Sequence, residues 1–146
     1  MKILLVGGSG FLGAWVARFL HVNQCLARIF DPNKPDSEWH RLSGIRADVT
    51  EWVAGDVSKK SELDDTIRDC QGVINLTGLL TPECSQNPVR GAEVNLIGAI
   101  NVFEGALKHG LKKVAYTSSI GVYGPDHAEF PEPTTHYGSF KLDSKR

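Results

Sequence analysis

Val6-Gly7-Gly8-Ser9-Gly10-Phe11-Leu12-Gly13 joins a short apolar run, Lys2 to Val6, to a stretch with helical spacing, Phe11 to Val22. An apolar run of this length bounded by glycines is typical of a strand buried on both faces. The spacing of the apolar residues in the second stretch predicts a helix whose buried stripe consists of Leu12, Trp15, Val16, Phe19 and Leu20. The glycines therefore mark a tight turn between a strand and a helix.

Strand-like and helix-like segments alternate along the rest of the chain. Further strands are expected over residues 25–30, 50–54, 72–76 and 113–116. Helices are expected over 59–70, with Ser58 as the N-cap, over 89–109, and from about Tyr137 onward, while residues 77–88 resemble a long polar loop. This alternation predicts a Rossmann-type α/β fold, a doubly wound parallel sheet with helices on both faces and the strand order 3-2-1-4-5.

The spacing of the glycines matches a dinucleotide-binding fingerprint. Gly8, Gly10 and Gly13 satisfy G-x-G-x-x-G, and Gly7 with the last two satisfies the variant G-x-x-G-x-x-G. At a strand-to-helix turn, such a loop brings backbone amides of the helix N-terminus to a pyrophosphate. The predicted cofactor-binding residues of this loop are Gly7, Gly10, Phe11, Leu12 and Gly13.

An acidic residue, Asp31, ends the second predicted strand, near the offset of about 20 residues at which the fingerprint expects an acid. A carboxylate there accepts hydrogen bonds from the adenosine ribose hydroxyls and repels the 2′-phosphate of NADP. NAD is therefore the expected cofactor. NADP stays open as the alternative, because Lys34 is near enough in sequence to reach a phosphate.

Tyr137 and Lys141 have the spacing Y-x-x-x-K on the last predicted helix. Positions i and i+4 share a helix face, so the phenol and the ammonium can point at one site. An adjacent ammonium favours the phenolate, which can then accept a hydroxyl proton as hydride leaves the same carbon. Ser118 and Ser119 follow the fifth predicted strand, and either hydroxyl could hydrogen-bond the substrate oxygen.

Further motifs occur in a fixed order along the chain. After the glycine stretch come Gly55-Asp56-Val57, Asn75-Leu76-Thr77-Gly78, the helix segment 95–101, the serine segment 117–124 and the Tyr137–Lys141 pair. With these motifs the chain, from residue 1 to about 142, resembles the N-terminal portion of an extended short-chain dehydrogenase/reductase in the NAD-dependent epimerase/dehydratase family.

The resemblance implies roles for individual residues. Ser119, Tyr137 and Lys141 would be catalytic, with Ser119 as the substrate-orienting hydroxyl. Asp56 and the Val57 backbone would flank the adenine. The further cofactor-binding residues that the resemblance implies are Leu76, Thr77, Gly78, Asn95, Tyr137 and Lys141. It implies no metal site.

Members of this family are roughly twice as long as this chain, and their C-terminal lobe completes the substrate pocket. Residues 1–146 are therefore expected to form one NAD-binding domain that is truncated before that lobe. One hypothesis is an enzyme, an epimerase, dehydratase or oxidoreductase that acts on a nucleotide sugar or a similar small hydroxyl substrate. The other is a catalytically inactive dinucleotide-binding module.

Bulk properties limit the other partners. The formal net charge is −1, which offers no electrostatic case for nucleic acid or an anionic membrane as a partner. No apolar run approaches the roughly 20 residues of a membrane span, and Cys25, Cys70 and Cys84 suit reduced thiols, so we expect a cytoplasmic protein. The fifth strand would expose an edge, which makes a homo-oligomer plausible.

Overall fold

A five-stranded parallel sheet forms the centre of the structure, a computed structural model that describes residues 1–124 and 130–144. The strands are β1 (Lys2–Val6), β2 (Leu26–Phe30), β3 (Glu51–Val53), β4 (Gly72–Asn75) and β5 (Val114–Tyr116). Their order in the sheet is β3-β2-β1-β4-β5, and each neighbouring pair is parallel. The predicted fold class and strand order are confirmed.

Helices connect the strands. They are α1 (Phe11–Val22), α2 (Ser37–Ser43), α3 (Lys60–Ile67), α4 (Thr81–Gln86), α5 (Pro88–Ala92), α6 (Gly98–Lys108) and α7 (His136–Asp143). A π-helical segment, Glu93–Ile97, joins α5 to α6, so the long helix predicted over 89–109 changes pitch along its length. Short 3₁₀ turns occur at Ala47–Val49 and Ile120–Tyr123.

The sheet has a buried apolar cluster on each face, because successive side chains of a strand point to opposite sides. Leu4 and Val6 of β1 pack with residues of α3 and α6 on one face. Ile3 and Leu5 pack with residues of α1 and α2 on the other. The strands are therefore covered on both faces, as continuous apolar runs require.

Helix α1 turns a different side to the sheet from the one predicted. The residues that it buries are Gly13, Ala14, Ala17 and Leu20. Of the predicted stripe, Leu20 is buried and Val16 is half-buried, whereas Leu12, Trp15 and Phe19 are exposed. The prediction was wrong because α1 begins in backbone contact with the glycine loop, and the narrow space beneath the first half of the helix is filled by Gly13, Ala14 and Ala17.

Three local features of the structure also differ from what the sequence predicted. Residues 77–88 contain helix α4, which has Pro82 in its first turn, where the missing amide of proline costs no hydrogen bond. Ser58 does not cap α3, because its amide and hydroxyl both bond the Asp56 carboxylate. Helix α2 was not predicted, although Asp36 caps its start and Gly44 ends it in the left-handed region.

Within residues 1–124 and 130–144, no helix has the length and apolar character needed to cross a membrane.

We predict that Gly13→Ala destabilises the protein by about 1–3 kcal/mol, the usual cost of overpacking. A Cβ at Gly13 would lie 2.0 Å from the carbonyl oxygen of Gly8, and backbone cannot yield as a side chain can. Urea unfolding measures the change. Gly10→Ala is the control, because its Cβ would meet nothing within 4 Å, and it should lose less than about 1 kcal/mol. Equal stability of the two variants would contradict the packing argument.

Candidate functional site

A cavity of about 640 Å³ opens at the carboxyl ends of the neighbouring strands β1 and β4, from which the chain continues to β2 on one side of the sheet order and to β5 on the other. Ligands of doubly wound sheets bind at this point. The predicted cofactor residues that border the cavity are Gly7, Gly10, Phe11, Leu12, Gly13, Asp31, Asp56, Val57, Leu76, Thr77 and Gly78. The structure therefore brings the loops after β1, β2, β3 and β4 around one space.

The glycine loop is held in shape from two sides. Gly7 has a φ of 74°, in the left-handed region, and a Cβ on it would lie 3.0 Å from the Thr77 backbone. On the other side, the Trp39 indole of α2 donates a hydrogen bond of 2.8 Å to the Gly8 carbonyl. Gly10 faces open space, so its backbone is accessible from the cavity. The loop presents a preformed backbone surface at the N-terminus of α1.

Asp31 is almost fully buried, with its carboxylate oriented by the backbone. One carboxylate oxygen accepts from the Asn33 amide at 2.9 Å, and the other accepts from the Ser9 amide at 3.1 Å. Each oxygen retains the capacity for a second hydrogen bond. Lys34 lies 6.0 Å from the centre of the Trp52 ring and is not among the described residues that border the cavity.

Asp56, in the loop after β3, borders the cavity and accepts three hydrogen bonds. The Ser58 amide and hydroxyl donate to one oxygen at 2.9 and 2.8 Å, and Arg90 donates to the other at 2.6 Å. Burial raises the pKa of Asp56, but the hydrogen bonds from Ser58 and Arg90 outweigh it and hold that pKa below its usual value. The carboxylate is therefore ionised at neutral pH.

Asn95 does not border the cavity, in contrast to its predicted place among the cofactor-binding residues. It lies in the π-helical segment with 1% of its surface exposed. Its side-chain oxygen accepts from the Leu79 amide and its nitrogen donates to the Leu79 carbonyl, both at 2.8 Å. In this structure Asn95 fixes the loop after β4, which does line the cavity.

Lys141 is a buried cation, 2% exposed, whose hydrogen bonds join two strand ends. Its ammonium donates at 3.0 Å to the carbonyl of Thr77, after β4, and at 3.0 Å to that of Thr117, after β5. Burial lowers the pKa of Lys141 to about 8. A Cβ on Gly78 would lie 3.3 Å from the ammonium nitrogen, so Lys141 lies directly behind the cavity wall.

Ser119 and Tyr137 flank Gly121 beside Lys141. A Cβ on Gly121 would lie 3.4 Å from the Ser119 hydroxyl oxygen and 3.9 Å from Cε1 of Tyr137. The Lys141 nitrogen is 6.0 Å from the centre of the Tyr137 ring. Ser118, the other candidate, is exposed on the same turn. The fold thus gathers Ser119, Tyr137 and Lys141 at the carboxyl end of β5.

Several residues that border the cavity were not among the cofactor-binding residues predicted from the sequence. They are Val6, Ser9, Phe30, Pro32, Asn33, Gly55, Leu79, Leu80, Arg90 and Val94. The position of Asn33 near the cavity could have been predicted, because Asn33 lies two residues after Asp31, the predicted ribose-binding acid. Arg90 had none, since it lies 34 residues from Asp56 in sequence and only the packing of α5 brings the two together.

A parallel sheet of this order with a glycine loop at its switch point defines a dinucleotide-binding type of α/β protein. The sequence profile of the NAD dependent epimerase/dehydratase family matches residues 3–145. The chain therefore belongs to the NAD dependent epimerase/dehydratase family.

Individual relatives are similar over nearly the whole of this chain but only part of their own. A bifunctional UDP-glucose 4-epimerase and UDP-xylose 4-epimerase of Pisum sativum is 32% identical, with 98% of this chain and 42% of the relative covered. A 3 beta-hydroxysteroid dehydrogenase type 7 of Homo sapiens is 31% identical, with 88% and 35% covered. The chain spans less than half the length of these relatives.

Solved structures show the same fold. A UDP-glucose 4-epimerase of Thermotoga maritima, crystallised with UDP-glucose, superposes with a TM-score of 0.86 at 23% identity, and 99% of this chain and 49% of that chain are covered. A UDP-glucose 4-epimerase of Thermus thermophilus in complex with NAD gives a TM-score of 0.84 at 24% identity, with the same coverage.

We predict that Lys141 makes the protein more stable as the pH rises from about 8 to 10.5. The folded-state pKa of Lys141 is lowered to about 8, so the unfolded chain holds more protons than the folded one across this window. The gain should be on the order of 3 kcal/mol. Urea unfolding of wild type and Lys141→Met across this pH range measures it, and the difference between the two profiles isolates Lys141. Parallel profiles would contradict the prediction.

Proposed function

We propose that this chain binds NAD in the cleft and supplies the Ser119–Tyr137–Lys141 group for hydride-transfer chemistry on a nucleotide sugar. The observation that carries the proposal is the cleft itself. All predicted cofactor residues except Asn95, Tyr137 and Lys141 border one cavity at the switch point of the sheet, and Lys141 lies behind its wall at Gly78.

Different parts of the cavity suit the pyrophosphate, the ribose and the adenine of a dinucleotide. The exposed backbone at Gly10 and the amides that begin α1 favour a pyrophosphate, which is anionic. The spare acceptor capacity of Asp31 suits the hydroxyls of a ribose without a 2′-phosphate. Asp56 and Val57, in the loop after β3, border the same cavity and suit the adenine.

Lys141 would serve both the cofactor and the reaction. Two carbonyls, of Thr77 and Thr117, accept from its ammonium, which leaves a third N–H for a ribose hydroxyl at the wall beside Gly78. Its ammonium lies 6.0 Å from the centre of the Tyr137 ring, on the same face of α7, so its charge would stabilise negative charge that develops on the reacting oxygens.

NAD, when bound, supplies the hydride acceptor and donor. Tyr137 then accepts the proton of the substrate hydroxyl as the carbon bearing that hydroxyl is oxidised, and returns a proton on reduction. Ser119 donates to or accepts from the same substrate oxygen, because it is held next to Tyr137 across Gly121.

A nucleotide sugar is the proposed substrate class because several relatives and structural neighbours are UDP-sugar 4-epimerases. The hydroxysteroid dehydrogenase among the relatives keeps a sterol in the set of substrates to be tested. A second candidate is a NAD-binding module without turnover. This second candidate is favoured because more than half the length of these relatives has no counterpart in this chain.

We predict that wild type binds NAD more tightly than NADP and that Asp31→Asn narrows this preference. The amide removes the charge that accepts ribose hydrogen bonds and repels a 2′-phosphate, so NAD affinity should fall about tenfold or more. Calorimetric titration with both dinucleotides measures the effect. Asp48→Asn is the control, since the same charge is removed at an exposed pair with Arg46. Tighter binding of NADP by wild type would overturn the assignment of Asp31.

We predict that Tyr137→Phe abolishes turnover while NAD still binds, because the ring remains and only the proton-accepting oxygen is lost. The assay is NAD reduction or epimer formation over a panel of UDP-sugars and a 3β-hydroxysteroid. Retained NAD affinity shows that the variant is folded. Turnover that persists in Tyr137→Phe would remove Tyr137 from the mechanism, and NAD binding by wild type without turnover on any substrate would support the binding module.

A further inference from the structure

Arg90 is a cavity residue to which the family motifs quoted above assign no role. It belongs to helix α5 (Pro88–Ala92), and its side chain reaches the wall formed by the loop after β3. It borders the same cavity as the glycine loop, at the end marked by Asp56 and Val57. The Arg90 side chain is 38% exposed, so part of it remains accessible.

Three hydrogen bonds from its N–H groups hold the Arg90 guanidinium in place. It donates to Asp56 at 2.6 Å, to the Ser58 hydroxyl at 3.2 Å and to Glu93 at 3.0 Å. Guanidinium N–H groups donate in the plane of the group, so these three bonds fix that plane and leave its faces free of hydrogen bonds. Asp56 and Glu93 also balance the charge, which lowers the cost of covering it with a ring.

The neighbouring wall is apolar. Phe30, Val57 and Val94 border the same cavity. A flat aromatic heterocycle fits between apolar side chains and a fixed cationic plane, because such a plane attracts the ring's π-electrons. The phosphate and ribose positions lie at the glycine loop and Asp31, so the base of the bound nucleotide is the flat group that would reach this wall.

We propose that Arg90 contacts the adenine base of the dinucleotide directly, through the face of its guanidinium. This assignment rests on the proposed NAD-binding function and adds a base-binding residue to it. The competing explanation is that Arg90 only orients the Asp56 carboxylate. The two explanations make different predictions about the 6-amino group of adenine. Asp56 can accept a hydrogen bond from that group, whereas a guanidinium stacked on the ring does not require it.

The test compares wild type and Arg90→Lys for binding of NAD and of nicotinamide hypoxanthine dinucleotide, in which an oxygen replaces the 6-amino group. Lysine keeps the charge and a donor for Asp56 but has no planar face. Both dinucleotides should bind Arg90→Lys about 3- to 30-fold more weakly than wild type. The matched control is Arg68→Lys, an exposed arginine paired with Asp65, which should leave both affinities unchanged.

The thermal midpoint without ligand shows whether each variant is folded. If Arg90→Lys lowers it, Arg90→Gln, which retains a donor for Asp56, should show the same loss of affinity for both dinucleotides. A loss confined to NAD would show that Arg90 acts only through Asp56, and unchanged affinities would remove it from the site; either result overturns the proposal. Failure of wild type to bind NAD would overturn the proposed function and the assignment of Arg90 with it.

Discussion

The backbone contact between Gly8 and Gly13 is the constraint on which the rest of the site depends. No side chain separates the loop from the first turn of α1, and a Cβ at Gly13 would lie 2.0 Å from the Gly8 carbonyl oxygen. This contact holds α1 close to the sheet, with its free amides at the mouth of the cavity. It also explains why Ala14 and Ala17 face inward while larger apolar residues of α1 are exposed.

The second constraint is a buried cation that has no carboxylate among its hydrogen-bond acceptors in the described part of the chain. Lys141 is stabilised by the carbonyls of Thr77 and Thr117, so one ammonium joins the ends of β4 and β5. Burying a charge in this way is costly, and the lowered pKa of Lys141 is the measure of that cost. The same burial places a positive charge beside Gly78, directly behind the cavity wall.

The polar side chains of the site mostly act on neighbouring loops as well as on the cavity. Asn95 fixes the backbone of Leu79, and Asp31 is itself oriented by the amides of Ser9 and Asn33. Asp56 joins its own loop to helix α5 through Arg90. Loops built in this way are in place before a ligand arrives, which reduces the ordering cost of binding.

The sequence by itself determined the fold class, the strand order and most of the cavity wall. Apolar runs separated by helical segments allow few parallel topologies, and the glycine loop, Asp31 and Asp56 each follow a strand, whose carboxyl ends necessarily meet at one edge of the sheet. The proximity of Tyr137 and Lys141 on α7 was also predictable, since i, i+4 spacing on a helix is a local property.

Only the tertiary structure decided which side of α1 is buried and which distant residues meet. Apolar spacing predicted a buried stripe that included Leu12, Trp15 and Phe19, which are exposed. The space under the helix is set by the close approach of two backbone segments, and apolar spacing carries no information about that approach. Arg90 reaches Asp56, and Trp39 the Gly8 carbonyl, across 34 and 31 residues of sequence. Contacts of that range depend on how helices pack against the sheet, and no local pattern records them.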